Sequence, residues 1–298
     1  MKRVFVTGGT GFVGKAVIRA LQAHGILVRC LVRAGSEADL KGFEAIERVP
    51  GDVLVPKGIA ESMQGCRAVI HLVGIIREHP ASGVVFERLH SQATANIVAA
   101  AQEAGVHRYL QMSALGVRPE ARSRYHRTKW EAEESVRRSG LDWTIFRPSL
   151  IYGRGDGSVS MLAAMIRRLP VVPVLGDGRF RLQPVAVEQV AEGFARALDQ
   201  PATIGKTYEV GGPQSYAFTE ILDQIGTALG KPRVRKLHQP LALMRPLVRL
   251  LEPLPFFPIT SDQLTMLEEN NVCDPSPFYR DFDLPPIAFS DGLQALFS

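Results

Sequence analysis

Two side chains in SRYHRTKWEAEE (123–134), the phenol of Tyr125 and the ammonium of Lys129, are the first candidates for chemistry. On a helix their i, i+4 spacing puts both on one face. Two surface residues would share a face in the same way, so the pair needs support from elsewhere in the chain. A second candidate opens the sequence. Gly8, Gly11 and Gly14 recur at every third position of TGGTGFVG (7–14), with Thr10, Phe12 and Val13 between them. Glycines so spaced permit a tight turn, close approach of a pyrophosphate to the backbone, and close packing of a helix on a sheet. The helix N-terminus then offers free N–H groups to the phosphate. The loop predicts dinucleotide binding, with a ligand-free tight turn as the alternative.

These residues have to be held by regular elements, and the patterning supplies them. Apolar runs at 2–7, 26–32, up to Val49, 67–74, 108–114 and 142–148 predict six strands. Helical periodicity follows the glycine loop and returns at 84–105 and 125–139, each stretch closed by a glycine. Strands that are continuously apolar belong in a parallel sheet covered on both faces. The expectation is a doubly wound, Rossmann-type α/β domain with its ligand at the carboxyl ends of the strands. That domain takes residues 1–150 and returns at about 182–207. Residues 151–181 and 208–298, interrupted by proline and glycine, are expected to form a smaller substrate lobe.

The second strand ends in Leu31-Val32-Arg33, where an NAD-binding domain often carries an acidic residue for the ribose 2′-hydroxyl. Arg33 would pair with a 2′-phosphate instead. NADP(H) is therefore favoured over NAD(H), against the plainer reading of a solvated strand end. Asp52 and Val53, after the third strand, are placed to meet the adenine edge. Leu72, Val73 and Gly74, after the fourth, lie where a cofactor would pass, Gly74 keeping that loop small. Each of these is also an ordinary turn position.

Composition narrows the classes. The chain has 298 residues, 46% of them hydrophobic, and no apolar run of membrane-spanning length. Its net charge of +5 (35 basic minus 30 acidic) suits a phosphate-bearing ligand and is too mild to indicate nucleic acid. Three scattered cysteines show neither metal spacing nor a disulfide framework, and the seven histidines show no paired metal spacing. A cytoplasmic protein is expected. In PLALMRPLVRLLEPLPFFP (240–258), Leu241, Met244, Leu247, Val248 and Leu251 make an apolar side opposite Arg245 and Arg249. This segment is a candidate contact for a membrane surface or a protein complex, or a cover for the protein's own lobe. Pro246 argues against a long regular helix there.

Taken in order, TGGTGFVG, GD (51–52), HLVG (71–74), MSALG (112–116), YHRTK (125–129) and FRPSLIYG (146–153) resemble the short-chain dehydrogenase/reductase superfamily. The longer stretches SALGVRPEARSRYHRTKWEAEE and GDGRFRLQPVAVEQVAEGFARAL are similar to its atypical, epimerase/dehydratase-like branch. That branch includes the NAD(P)H-binding accessory subunit of respiratory complex I and bacterial relatives. The resemblance covers about residues 1–230. It implies that Tyr125 exchanges a proton at a carbonyl or alcohol carbon, and that Lys129 stabilises the phenolate and holds the nicotinamide ribose. It also implies that Pro148 lies at the nicotinamide end. The superfamily usually places a substrate-binding hydroxyl after the fifth strand; here that position is Ala114, with Ser113 beside it.

The resemblance implies an NADP(H)-dependent oxidoreductase or epimerase acting on a small carbonyl, alcohol or quinone-related compound, with Tyr125, Lys129 and Ser113 as its catalytic set. A non-catalytic NADPH-binding assembly protein of a respiratory or quinone-making complex is the alternative. A redox-sensing regulator is a third reading. The basic loop 117–129 fits an anionic substrate or, more simply, a solvated surface.

Overall fold

A computed structural model describes residues 3–43, 45–252, 254, 257, 259–269 and 271–298. The start of the first expected strand at residue 2 and positions 253, 255, 256 and 258 of the expected tail contact lie outside the described residues. The strands β1 (Arg3–Thr7), β2 (Leu27–Val32), β3 (Ile46–Pro50), β4 (Ala68–His71), β5 (Arg108–Met112) and β6 (Asp142–Pro148) fall on the runs expected from their apolar character, β3 ending one residue past Val49. A further strand, Lys206–Val210, pairs with β6, and the order across the sheet is Lys206–Val210, β6, β5, β4, β1, β2, β3. All the pairings are parallel, so the carboxyl ends share one edge. The chain reverses its direction of winding between β1 and β4, and the crevice opens there.

Helices cover both faces. Val4, Val6, Ile70, Leu110 and Phe146 point to one side, where α1 (Phe12–Ala23) and the helix Val187–Ala197 bury Val17, Ile18, Leu21, Val190 and Phe194. Phe5, Val69, Tyr109 and Ile145 point to the other, against α2 (Ile59–Met63) and α3 (Ala93–Glu103). The helix α4 (Arg124–Arg137) packs on α3, on this second face. Phe278 and Phe282 join Phe146, Phe194 and Tyr208 in the first core, each contributing about 1.5–3 kcal/mol by burial. Residues 208–210 and 278–282, expected in the smaller lobe, therefore pack with the main sheet. Tyr152, Val159, Leu162, Ile166, Ile221, Ile225, Phe289 and Leu293 form a separate buried cluster.

Two elements differ from their sequence reading. The expected helix at 84–105 begins as a π-helix, Glu87–Gln92, before continuing as α3. The helix Leu241–Leu251 continues through Pro246. The lost hydrogen bond would have gone to the carbonyl of Ala242, an exposed residue whose carbonyl water can satisfy, while buried Val248 anchors the helix. No helix among the described residues is long and apolar enough to cross a membrane.

Candidate functional site

The glycine loop is folded by its own backbone. Gly8 has φ of +75°, and a methyl there would come within 3.0 Å of the Leu72 and Val73 backbone. The Gly11 amide donates to the Gly8 carbonyl at 3.1 Å. A methyl on Gly14 would lie 2.2 Å from that same carbonyl oxygen and 2.6 Å from Gly9 Cα. Helix α1 can therefore reach the loop only with glycine at position 14. Its N-cap is Gly11, with no side-chain cap and no acidic residue in the first turn. The first-turn amides and the positive end of the helix dipole are left to a ligand.

Lys129 lies at the neighbouring strand ends. Its ammonium is buried and donates to the carbonyls of Val73 (3.4 Å) and Met112 (3.3 Å), tying the loop after β4 to the end of β5. A methyl on Gly74 would sit 2.7 Å from Lys129 Nζ. Burial lowers the ammonium to about 8, with Glu133 opposing the shift. The Tyr125 ring is also buried, edge-on to Phe86, His90 and His126. Its phenol makes no hydrogen bond with the described residues, and burial pushes it well above its ordinary value. The phenol is thus protonated at neutral pH in this state.

Two buried histidines face the lysine. His71, ending β4, shares a hydrogen bond of 2.6 Å between its Nδ1 and Thr7 Oγ1, and its Nε2 is buried without a partner. Burial, then the Lys129 charge, hold His71 at about 3. His90 comes from the π-helix, and burial and the same charge hold it at about 2. Sequence reasoning missed His90, which belongs to no spaced motif. The one-residue expansion that turns it inward left no sign in the apolar pattern.

The other expected residues are distributed as follows. Ser113 is buried, its amide bonded to the Phe146 carbonyl and its hydroxyl unpaired. Ala114 is half-buried beside it. Leu72 is buried, its amide donating to Thr7. Pro148 accepts from the Leu115 amide. Thr10 and Phe12 are half-buried in the loop, and Val13 is in the first core. The Asp52 carboxylate closes a turn on the Leu54 amide at 2.9 Å, and the Val53 carbonyl accepts from Asn96. Arg33 is exposed, and its guanidinium pairs with no described group. The structure thus brings the glycine loop, residues 72–74, Ser113, Tyr125, Lys129 and Pro148 to one sheet edge, with Asp52 and Arg33 further along it. A groove of about 440 Å³ between α1 and the helix Val187–Ala197 shares only Phe12 with this set and is not the same site.

Carboxylates from the tail and from the segment after β4 meet the start of α4 and the loop before it. Asp262 accepts from the amides of Arg124 (2.7 Å) and Tyr125 (3.1 Å), capping α4 from 137 residues away. Glu269 pairs with Arg118 at 2.7 Å, and Glu78 and Glu87 pair with Arg124 at 2.9 and 2.7 Å. Arg127 donates to the carbonyls of Ala121 and Arg122. Arg118, Arg122 and Arg124 of the basic loop are solvent-exposed, as the sequence suggested, and each is also paired with a carboxylate.

A loop that a methyl would fill, an uncapped helix start and unpaired buried donors fit a nicotinamide dinucleotide. The comparisons agree. The family model described as NAD(P)H-binding matches residues 8–201. The mitochondrial NADH dehydrogenase (ubiquinone) 1 alpha subcomplex subunit 9 of Arabidopsis thaliana is 30% identical over 298 residues, covering 94% of this chain and 73% of that protein. A ceramide reductase of Caulobacter vibrioides is 30% identical over 238 residues, covering 80% of this chain and 74% of the relative. The solved dTDP-glucose 4,6-dehydratase DesIV of Streptomyces venezuelae, with NAD and TYD bound, superposes with a TM-score of 0.73 at 20% identity, over 99% of this chain and 95% of that one. At that identity the likeness establishes the fold.

Proposed function

This chain belongs to the NAD(P)H-binding family, and from that premise we propose that it is an NADP(H)-dependent oxidoreductase reducing an uncharged carbonyl compound. The observation that carries the reading is Lys129, buried at the strand ends and bonded to the Val73 and Met112 carbonyls, one helical turn from Tyr125. The glycine loop and the α1 N-terminus would hold the pyrophosphate, Arg33 a 2′-phosphate, and Lys129 the nicotinamide ribose. The nicotinamide, when bound, supplies the hydride. Tyr125, protonated in its apolar surroundings, donates the proton to the carbonyl oxygen, and the Lys129 charge stabilises the phenolate left behind. Ser113, buried at the end of β5 with its hydroxyl unpaired, would donate to the substrate oxygen.

Pairing of the mouth arginines with Glu78, Glu87 and Glu269 supports an uncharged substrate, since an anionic group would have to displace carboxylates. The ceramide reductase relative is in keeping with an apolar carbonyl compound. The test is single-turnover oxidation of bound NADPH with a panel of long-chain ketones and quinones, with Tyr125→Phe as control. Oxidation that requires the phenol supports the reading. No oxidation by any member counts against it.

A second reading is favoured by one observation. The helix Leu241–Leu251 turns Leu243, Leu247 and Leu250 to solvent on one stripe, beside exposed Arg249. Under this reading the chain is a non-catalytic NADPH-binding accessory protein that attaches to a membrane surface or complex through that stripe, and Ala114 replaces the missing substrate hydroxyl. Co-sedimentation with anionic vesicles, lost in Leu243→Glu/Leu247→Glu, tests the attachment.

A further inference from the structure

His90 touches Tyr125, the α4 turn between Tyr125 and Lys129, and the loop after β4. Its ring is buried, stacked on Phe86 at 5.3 Å and 19°, and meets the Tyr125 ring edge-on at 5.3 Å and 89°. Nδ1 lies 2.8 Å from Thr128 Oγ1, between Tyr125 and Lys129 on α4. Nε2 lies 3.1 Å from the Ile75 carbonyl oxygen and 3.2 Å from the Ile75 amide nitrogen. A methyl on Gly74 would be 3.7 Å from His90 Nε2 and 2.7 Å from Lys129 Nζ, so the two nitrogens flank the same backbone atom.

Both neutral tautomers are satisfied in place. With the proton on Nδ1, His90 donates to Thr128 Oγ1, whose own proton goes to the carbonyl of Arg124 (3.0 Å) or Tyr125 (3.1 Å), and Nε2 accepts the Ile75 amide. With the proton on Nε2, His90 donates to the Ile75 carbonyl and accepts from Thr128. The π-helix supplies the reach: one extra residue per turn swings the side chain out of the α3 register, and such bulges often mark working sites.

We propose that His90 is a positioning residue that pins the loop 73–75 to α4 and so fixes the Tyr125 phenol and the Lys129 ammonium against the nicotinamide end of the site. This rests on the proposed role of Tyr125 and Lys129. His90 acts in its neutral form. The charged and titratable groups facing it are Lys129 and Tyr125 from α4 and His71 from β4, and burial together with the lysine charge keeps the imidazole unprotonated through the neutral range.

The test is NADPH affinity by nicotinamide fluorescence between pH 6.5 and 10, on wild type, His90→Ala, His90→Gln, His90→Asn and Lys129→Met, with thermal melting in parallel. Wild-type affinity should fall on the alkaline side as Lys129, held at about 8, loses its proton. His90→Ala admits water beside the ammonium, so its affinity should drop about tenfold and its alkaline break move upward by about one pH unit. His90→Gln, which can still serve Ile75, should stay within about threefold of wild type with the break in place. A core role alone would lower the melting temperature and leave the break unmoved, and that result overturns the inference. Should His90→Ala fail to fold, His90→Asn, which keeps Thr128 and loses Ile75, must show the affinity loss at reduced size; a wild-type curve from it is equally contradictory. Undiminished binding by Lys129→Met would instead remove the site reading on which the inference stands.

Discussion

Gly74 and Lys129 are fitted to each other: a methyl on residue 74 would lie 2.7 Å from the lysine Nζ. The ammonium fills the space a side chain would take, and it holds the adjacent Val73 carbonyl. Gly74→Ala should therefore push Lys129 off both of its carbonyls. NADPH affinity is expected to fall about tenfold or more, at a stability cost of about 1–3 kcal/mol from overpacking. Titration and urea unfolding separate the two effects.

Gly14→Ala meets backbone on two sides, Gly8 O at 2.2 Å and Gly9 Cα at 2.6 Å, and no flexible side chain can give way. Helix α1 has to lift from the loop. The expected outcome is loss of NADPH and NADH binding together, read by fluorescence, with the melting temperature lowered.

The buried ammonium has a price in the ligand-free protein. Because Lys129 titrates at about 8 when folded, against an ordinary 10.5, the unfolded chain binds more protons between those values. The penalty is fully present below pH 8 and is relieved as pH rises toward 10.5. Lys129→Met should thus stabilise the ligand-free protein at pH 7 and abolish tight NADPH binding. Its advantage over wild type should shrink between pH 8 and 10 in urea titrations. Comparing variant with wild type at each pH cancels the opposing titration of Cys30, raised by burial to about 11.

On the acid side, His71 and His90 are buried neutral, at about 3 and about 2. Each contributes stability that is complete above its unfolded value near 6.5 and is lost as pH falls toward the folded one. The protein should destabilise progressively from pH 6.5 to 4, and His71→Gln should flatten that slope in guanidinium unfolding at each pH.

The glycine loop and the sheet were legible because each rests on local pattern: glycines three apart, apolar runs of strand length, helices closed by Gly105 and Gly140. Tyr125 and Lys129 were legible as a pair through i, i+4 spacing. Three features were not. The π-helix at Glu87–Gln92 shifts register by one residue, and an apolar face tolerates that shift without a change in composition. Ser123 caps the His126 amide, as the local sequence suggests, but the Arg124 and Tyr125 amides are met by Asp262, far along the chain. The ion pairs at the mouth likewise depend on Glu268, Glu269 and Glu78, which sequence reasoning had no means of bringing to Arg122, Arg118 and Arg124.

The Asp262 cap carries its own expectation. Asp262→Ala leaves the Arg124 and Tyr125 amides without their acceptor and should cost about 1–2 kcal/mol in urea unfolding. It should also weaken activity more than NADPH binding, because it frees the turn that carries the phenol. Parallel titration and turnover assays read that split.

The central claim is that a nicotinamide dinucleotide, preferentially NADP(H), binds across the glycine loop with Arg33 at its 2′-phosphate. Its most direct test is fluorescence titration of NADPH and NADH against wild type and Arg33→Ala. The account predicts tight NADPH binding, weakened about tenfold or more by the substitution, with NADH little changed. Failure of wild type to bind either nucleotide would contradict it.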